Sequence, residues 1–398
     1  MIQNYIWSVL SKVILIIYSL LILKVTSVFL SEKEFSSFYL LMNAAIYLMP
    51  VFFGMQSAIV LRFYHHSERR LQSTISTFNW IAIISIVLLT IFMSYFYSSS
   101  YIVSIYIIGL GFYQYLISKL RAQHNFRKIA IYAFIHLLIT SLVLLMFIES
   151  NNNAIFLLLT ISIIYVIISL KGVLLDCKEI NIKNINISLI RYSKPIVFIA
   201  FFNSSLSSMD QYFLYYFDYE KELAGYIANY NIGEKIIFSL LSIIVTVFVP
   251  VVFKKYQDLT LSAIREIYII SIKFIALSSV LVLIMYLVSD YLVLFFTDEK
   301  YIDTAWIIPI IGFGAMILGV VSIGAEVFTI KKTTNILMRL YFIGFLINFV
   351  LNVVFIPNYG VIAAIITTVG SYLAMLLYLA LLITKEKNKL IGLKCYGG

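Results

Sequence analysis

Asp210 lies in the run SSLSSMDQYFLYYF, residues 204–217, and the nearest basic residues in the chain are Lys194 and Lys221. The run otherwise reads as membrane-spanning, and a carboxylate at hydrocarbon depth costs roughly 2.5–3.5 kcal/mol on insertion scales. Further charges fall inside apolar runs at Lys12, Lys24, Glu234, Lys235, Lys273 and Glu326. Lys24 is close enough to a helix end to snorkel, and Glu326 is little more than a turn from Lys331 at the inner interface. Glu234 and Lys235 are adjacent, so on a helix they point about 100° apart and need partners on other helices or in water. Asn203, Ser207 and Asp210 recur at i, i+4, i+7 and predict one polar helix face, widened by Ser204 and Ser208. That face points to a wet cavity or a polar helix contact, with Lys12, Lys235 and Lys273 as available countercharges. Two readings follow: an ion pair that fixes helix packing, or a group that handles substrate or an ion, as intramembrane ionisable residues usually do.

No covalent chemistry is legible. The chain has no nucleotide-binding glycine loop, no HExxH and no Cys/His cluster. Its cysteines, Cys177 and Cys395, fall in segments read as cytoplasmic, so neither a disulfide nor a metal site is expected. His65 and His66, in HHSERR, read as interface loop; His136 falls inside a span, as a packed, hydrogen-bonded histidine or a proton relay. The glycines of GFGAMILGVVSIG, residues 312–324, permit close helix packing or a transport hinge. No cofactor and no metal are expected, beyond a coupling ion.

The elements that must position these residues are membrane helices. The chain has 398 residues, 62% of them hydrophobic and 12% charged, too apolar for a water-facing surface. Apolar runs predict about twelve helices at 6–30, 35–60, 75–97, 101–118, 129–148, 154–175, 195–217, 226–252, 267–289, 304–330, 336–356 and 361–384, each long enough to cross about 30 Å of hydrocarbon. Alternate connections carry the cations, from Arg62, Arg69 and Arg70 through to Lys385, Lys387 and Lys389, while the others carry acids such as Glu32, Glu34, Asp218, Asp298 and Glu299. This positive-inside pattern predicts cytoplasmic N and C termini. It also accounts for the net charge of +10 without nucleic acid. Trp7, Trp80 and Trp306 are expected near span ends as interfacial anchors. The long connection after the sixth run predicts two six-helix bundles, 1–185 and 186–398, in parallel orientation, with a site expected near the midplane between them.

The segment MDQYFLYYFDYEKELAGYIANYNIGEKI, with Asp210, Gly225, Tyr226 and Asn229, resembles a signature of the polysaccharide-transporter branch of the multidrug/oligosaccharidyl-lipid/polysaccharide (MOP) exporter superfamily. LNVVFIPNYGVIAAIITTVGSYL, with Leu351, Asn352, Pro357, Tyr359, Gly360, Ala363, Ala364 and Thr367, is similar to a second signature of that branch. Ile362-Ala363 stands where glycine often precedes Ala-Ala. Within the branch the chain most resembles the O-antigen flippases (Wzx type). The resemblance implies an all-α, MATE-like fold around a central cavity in the bacterial inner membrane. It implies a transporter, not an enzyme, that moves an undecaprenyl-diphosphate-linked oligosaccharide from the cytoplasmic to the periplasmic leaflet. Lys12, Arg62, Lys235 and Lys273 are then the candidates to hold the diphosphate; Asp210 and Glu234 would bind a coupling H⁺ or Na⁺, or hold those lysines when the cavity is empty. Implied partners are the lipid bilayer and the polysaccharide polymerase and chain-length machinery. The alternatives are an ion-coupled drug or cation antiporter of the same superfamily, a major-facilitator sugar transporter, whose signature RFYHHSERR lacks, and an integral-membrane polymerase or ligase, which needs a larger extracytoplasmic loop than the dozen or so residues available.

Overall fold

The computed structural model describes residues 2–63, 69–95, 100–149, 154–174, 186–256 and 258–395. His65, His66, Cys177, Lys178 and Lys183 lie outside the described residues, as does the side chain of Cys395. Every regular element among the described residues is helical: α1 (Ile2–Phe29), α2 (Glu32–Phe63), α3 (Arg69–Ser94), α4 (Ser100–Ala122), α5 (Phe126–Glu149), α6 (Ala154–Leu174), α7 (Ile187–Leu206), α8 (Met209–Tyr216), α9 (Glu220–Lys255), α10 (Leu261–Leu287), α11 (Ser289–Phe296), a 3₁₀ turn (Glu299–Thr304), α12 (Ile307–Ile330) and α13 (Thr334–Cys395). Helices satisfy their own backbone groups, which is why apolar runs of this length adopt them in hydrocarbon. Among the described residues nine helices are long and apolar enough to cross a membrane, with α13 counted once, and Ala154–Leu170 adds a shorter apolar one.

The expected ranges fall on helix apart from their end residues, with one interruption. Range 195–217 divides into α7 and α8 at Ser207 and Ser208. The serine-rich sequence explains the break: Ser204 and Ser205 donate to the carbonyls of Ala200 (3.0 Å) and Phe201 (2.9 Å), and such back-bonding competes with the helix ladder. The i, i+4, i+7 face expected for Asn203, Ser207 and Asp210 is therefore not one continuous helix face. The structure also contains α11 and the 3₁₀ turn where a plain connection was expected; elements of eight and six residues are too short to show a periodicity. Because α3 begins at Arg69, Trp80 lies about 16 Å along that helix rather than at its end.

The chain forms two compact units, Met1–Ser205 and Leu206–Gly398. The boundary lies about twenty residues beyond the expected one at 185/186, since α7 belongs with the first unit up to Ser205. In the first unit α4 is the central helix, packed between α2 and α6, while α1 packs on α5 and α3 flanks α2 and α4. Gly109 makes the α4–α6 approach possible: a Cβ there would come within 2.6 Å of the Ser162 carbonyl oxygen. The Thr90 hydroxyl donates to Ser104 (2.6 Å) and joins α3 to α4.

The second unit repeats this arrangement. Its elements, in order, are α8, α9, α10, α12 and the two arms of α13, 334–359 and 361–395. The fourth of these, α12, is again central, packed against α9, α10 and the second arm of α13. Here α8 packs on the first arm of α13, with the Phe213 and Phe349 rings 5.6 Å apart, as α1 packs on α5. The glycines of α12 lie in these contacts: Gly312 against Met285, Gly314 against Val369, Gly319 against Phe274 and Gly324 against Leu379. The helix itself runs unbroken from Ile307 to Ile330, so these glycines serve close packing.

The arms of α13 meet at Gly360, whose φ of 51° and ψ of −130° suit only glycine. A Cβ there would come within 2.6 Å of the Tyr219 ring, whose hydroxyl donates to the Pro357 carbonyl at 3.2 Å. Gly360→Ala is expected to destabilise the fold by about 1–3 kcal/mol. A thermal unfolding scan of the purified protein should show a lowered midpoint; an unchanged midpoint would remove the strain assigned to this turn.

Candidate functional site

Asp210 stands in the first turn of α8 and is 1% exposed. The break before α8 is what places it there. The Leu206 carbonyl, left without a helical partner at the end of α7, accepts the Tyr372 hydroxyl at 3.2 Å. Asp210 Oδ1 accepts the backbone N–H of Gln211 at 2.8 Å. Its Oδ2 accepts the Thr368 hydroxyl at 3.0 Å and the Tyr226 hydroxyl in a short contact. The carboxylate is thus held by α8, α9 and the second arm of α13, and by hydroxyls in place of the lysines expected as countercharges. Lysine side chains long enough to reach it would need an opening, and Asp210 is enclosed.

A second polar chain runs alongside within α13. Thr367 donates to Asn352 Oδ1, Asn352 Nδ2 donates to Asn348 Oδ1 (3.0 Å), and Asn348 Nδ2 donates to the Ser371 hydroxyl (3.4 Å). The Ser371 hydroxyl in turn donates to the Thr368 carbonyl (2.7 Å), which links this chain to the residue bonding Asp210. The other signature residues also have structural roles. Gly225 leaves room for Thr304, whose hydroxyl a Cβ would approach to 2.6 Å, and Asn229 donates to Thr304 (2.7 Å) and to the Tyr301 carbonyl (3.0 Å). Residues quoted from two distant stretches of sequence therefore meet around one carboxylate.

Glu234 lies two turns beyond Tyr226 on α9, about 12 Å along its axis. It is part-buried, within electrostatic reach of Asp210 and of Lys235, and its Oε1 is enclosed without a hydrogen-bond partner. Asp210, Glu234 and Lys235 are thus brought into one region of the second unit. Lys273 is not: it is exposed on α10 beside Ile269, Ile272 and Leu277. Lys12 and Arg62 belong to the first unit. Lys12 is half-buried on α1; Arg62 is exposed at the end of α2, its guanidinium 4.7 Å from the centre of the Tyr192 ring. His136 is fully buried, stacked on Tyr165 (4.2 Å) and edge-on to Tyr18 (4.5 Å). It is packed as expected, but neither ring nitrogen has a hydrogen-bond partner.

Thr368, Asn348 and Ser371 went unnoticed in the sequence because hydroxyls and amides in an apolar helix carry no charge signal. The run TTVGS was the available clue. The assembled site is an oxygen-rich cluster around a single buried acid whose two oxygens both accept hydrogen bonds from the protein. Among the described residues no three His, Cys, Asp or Glu side chains come together. A double-mutant cycle of Asp210→Asn with Tyr226→Phe is expected to return a coupling of about 1–2 kcal/mol in unfolding experiments. Additive effects would show that the two groups do not interact.

Solved structures with the same arrangement are transporters. A multidrug resistance MATE family transporter of the MOP superfamily, in its inward-facing conformation, aligns with a TM-score of 0.65 at 11% identity, over 98% of this chain and 96% of that one. The outward-facing conformation of such a transporter gives 0.62 at 13% identity, over 97% and 96%. A Vibrio cholerae MATE transporter gives 0.61 at 12% identity, over 98% and 96%. In sequence, an uncharacterised membrane protein of Methanocaldococcus jannaschii is 37% identical over 81 residues, which is 20% of this chain and 16% of that protein's length. No protein-family model matches the chain. The protein is a multi-pass, all-helical membrane protein with a MATE-like fold.

Proposed function

We propose that this protein is a lipid-linked oligosaccharide flippase. In this reading it carries an undecaprenyl-diphosphate-linked repeat unit of O-antigen, or of a related surface polysaccharide, from the cytoplasmic to the periplasmic leaflet by alternating access. The membrane is the bacterial inner membrane, both termini are cytoplasmic, and delivery is to the polymerase and chain-length machinery. One observation carries the proposal: the residues that resemble the polysaccharide-transporter branch, Asp210, Tyr226, Asn352 and Thr367, belong to one bonded cluster with Thr368, Asn348 and Ser371. The resemblance thus rests on a built site and not on scattered identities. The MATE-like fold supports transport, and half-buried Lys12 and Lys235 suit an anionic cargo better than a cationic drug.

Asp210 and Glu234 are the proposed coupling residues. Asp210 is buried with donors on both oxygens, so it suits exchange between a neutral acid, or an ion-paired carboxylate, and a carboxylate held by hydroxyls. Glu234, with one oxygen unpartnered, is the nearby group that such an ion could also meet.

Deletion of the gene in its host is expected to leave the undecaprenyl-linked unit on the cytoplasmic side and to abolish surface polysaccharide, with drug tolerance unchanged. Intact polysaccharide with new sensitivity to cationic drugs would replace the flippase with the antiporter. In proteoliposomes, Asp210→Asn and Glu234→Gln are each expected to slow translocation at least about tenfold, the rate effect of roughly 1.4 kcal/mol. Both should also remove its dependence on an imposed H⁺ or Na⁺ gradient. Full rate and full ion dependence in both variants would end the coupling assignment.

A further inference from the structure

The carbonyl of Leu206 decides where α7 stops. In an unbroken helix it would accept the N–H of Asp210, four residues on, and the Ser207 carbonyl would accept the N–H of Gln211. In the structure the Leu206 carbonyl accepts the Tyr372 hydroxyl at 3.2 Å, and the Gln211 N–H turns to Asp210 Oδ1 at 2.8 Å. The serines of α7 strain its ladder without filling this acceptor, since Ser204 and Ser205 bond the carbonyls of Ala200 and Phe201 farther back. Ser208, which precedes α8, gives that helix no side-chain cap, so the break is not fixed by the usual local device. The group that fills the Leu206 acceptor comes from another helix.

Tyr372 is buried on the second arm of α13, one turn beyond Thr368, so both side chains leave the same face about 6 Å apart along the axis. Thr368 donates to Asp210 Oδ2 at 3.0 Å, and Tyr372 donates to the Leu206 carbonyl. Ser371, between them, donates back to the Thr368 carbonyl at 2.7 Å. One face of one arm therefore holds both the carboxylate and the end of the helix that precedes it. We infer that Tyr372 is a positioning residue for Asp210. Its hydroxyl occupies the acceptor that would rejoin α7 to α8, and so leaves the Gln211 N–H free for the carboxylate. The bond is enclosed, and in such surroundings a lost partner is not replaced by water. Tyr372 thus acts on Asp210 through the backbone, whereas Thr368 acts on it directly. Only the consequence for transport rests on the flippase reading; the positioning itself does not.

The test is isotope-edited infrared spectroscopy of the full chain in nanodiscs, with carboxyl-labelled aspartate and the Asp210 band identified by its absence from Asp210→Asn. Tyr372→Phe keeps the ring and removes the hydroxyl. The Asp210 band is expected to shift, because the N–H bonded to Oδ1 is drawn back toward the Ser207 carbonyl. Tyr341→Phe, at a buried tyrosine on the first arm of α13, should leave the band in place. Replacing Tyr372 by 3-fluorotyrosine, a stronger donor of nearly the same shape, should shift the band in the opposite sense. That variant tests the bond even where Tyr372→Phe does not fold. A lowered melting midpoint with the band unmoved in both variants at Tyr372, or an equal shift in Tyr341→Phe, reduces Tyr372 to packing and overturns the inference. In proteoliposomes, Tyr372→Phe is expected to slow gradient-driven translocation about fivefold, the rate equivalent of one neutral hydrogen bond. A band shift in a protein that translocates no lipid-linked oligosaccharide would remove the flippase reading and leave the positioning role standing.

Discussion

A carboxylate buried among apolar helices has no water to hydrogen-bond with, so its donors must come from the protein. Asp210 meets this constraint with three: a backbone N–H of its own helix, a phenol from α9 and a threonine hydroxyl from the second arm of α13. Much of the second unit follows from bringing those groups together. The serine-rich break between α7 and α8 puts Asp210 in a first turn, where the partial positive charge of the helix start favours it. Gly225 and Gly233 let α9 approach the 3₁₀ turn and α12, which brings Tyr226 into place. Gly360 turns the chain so that Thr368 returns on the second arm.

The two units share a plan and differ in chemistry. Each centres on one helix, α4 or α12, that is apolar on nearly all sides, the pattern expected of a helix surrounded by others. Small residues set the approach distances in both. The polar interiors differ: the second unit encloses Asp210 near the part-buried Glu234 and Lys235, whereas the described helices of the first hold the part-buried Lys12 and Arg121 and an aromatic cluster around His136.

His136 shows how packing and polarity can part company. Tyr18, Tyr113 and Tyr165 surround the imidazole and draw α1, α4, α5 and α6 together through ring contacts. Aromatic contacts of this kind contribute about 0.5–1.5 kcal/mol each beyond area burial, enough to hold a histidine whose nitrogens have no protein partner. A cluster built on shape imposes no particular protonation chemistry.

Much of the architecture was legible in the sequence. Long apolar runs dictate membrane helices because no other structure satisfies their backbone in lipid. Charges inside those runs marked Asp210, Glu234, Lys12 and Lys235 as residues needing an explanation. The glycines of α12 could be recognised as a close-packing face, though hinge and contact are indistinguishable until the neighbours are known. What a given charge meets was decided by the tertiary structure alone. Lysines were the natural partners for Asp210 on charge, yet Tyr226 and Thr368 bond it, because hydroxyls on adjoining helices reach an enclosed carboxylate without burying a second ion. Lys273 looked intramembrane and equivalent to the others, but its rotation about α10 leaves it exposed. Periodicity and hydropathy are properties of a single helix and so can be read along the chain; partners lie on other helices, at distances that no one-dimensional pattern encodes.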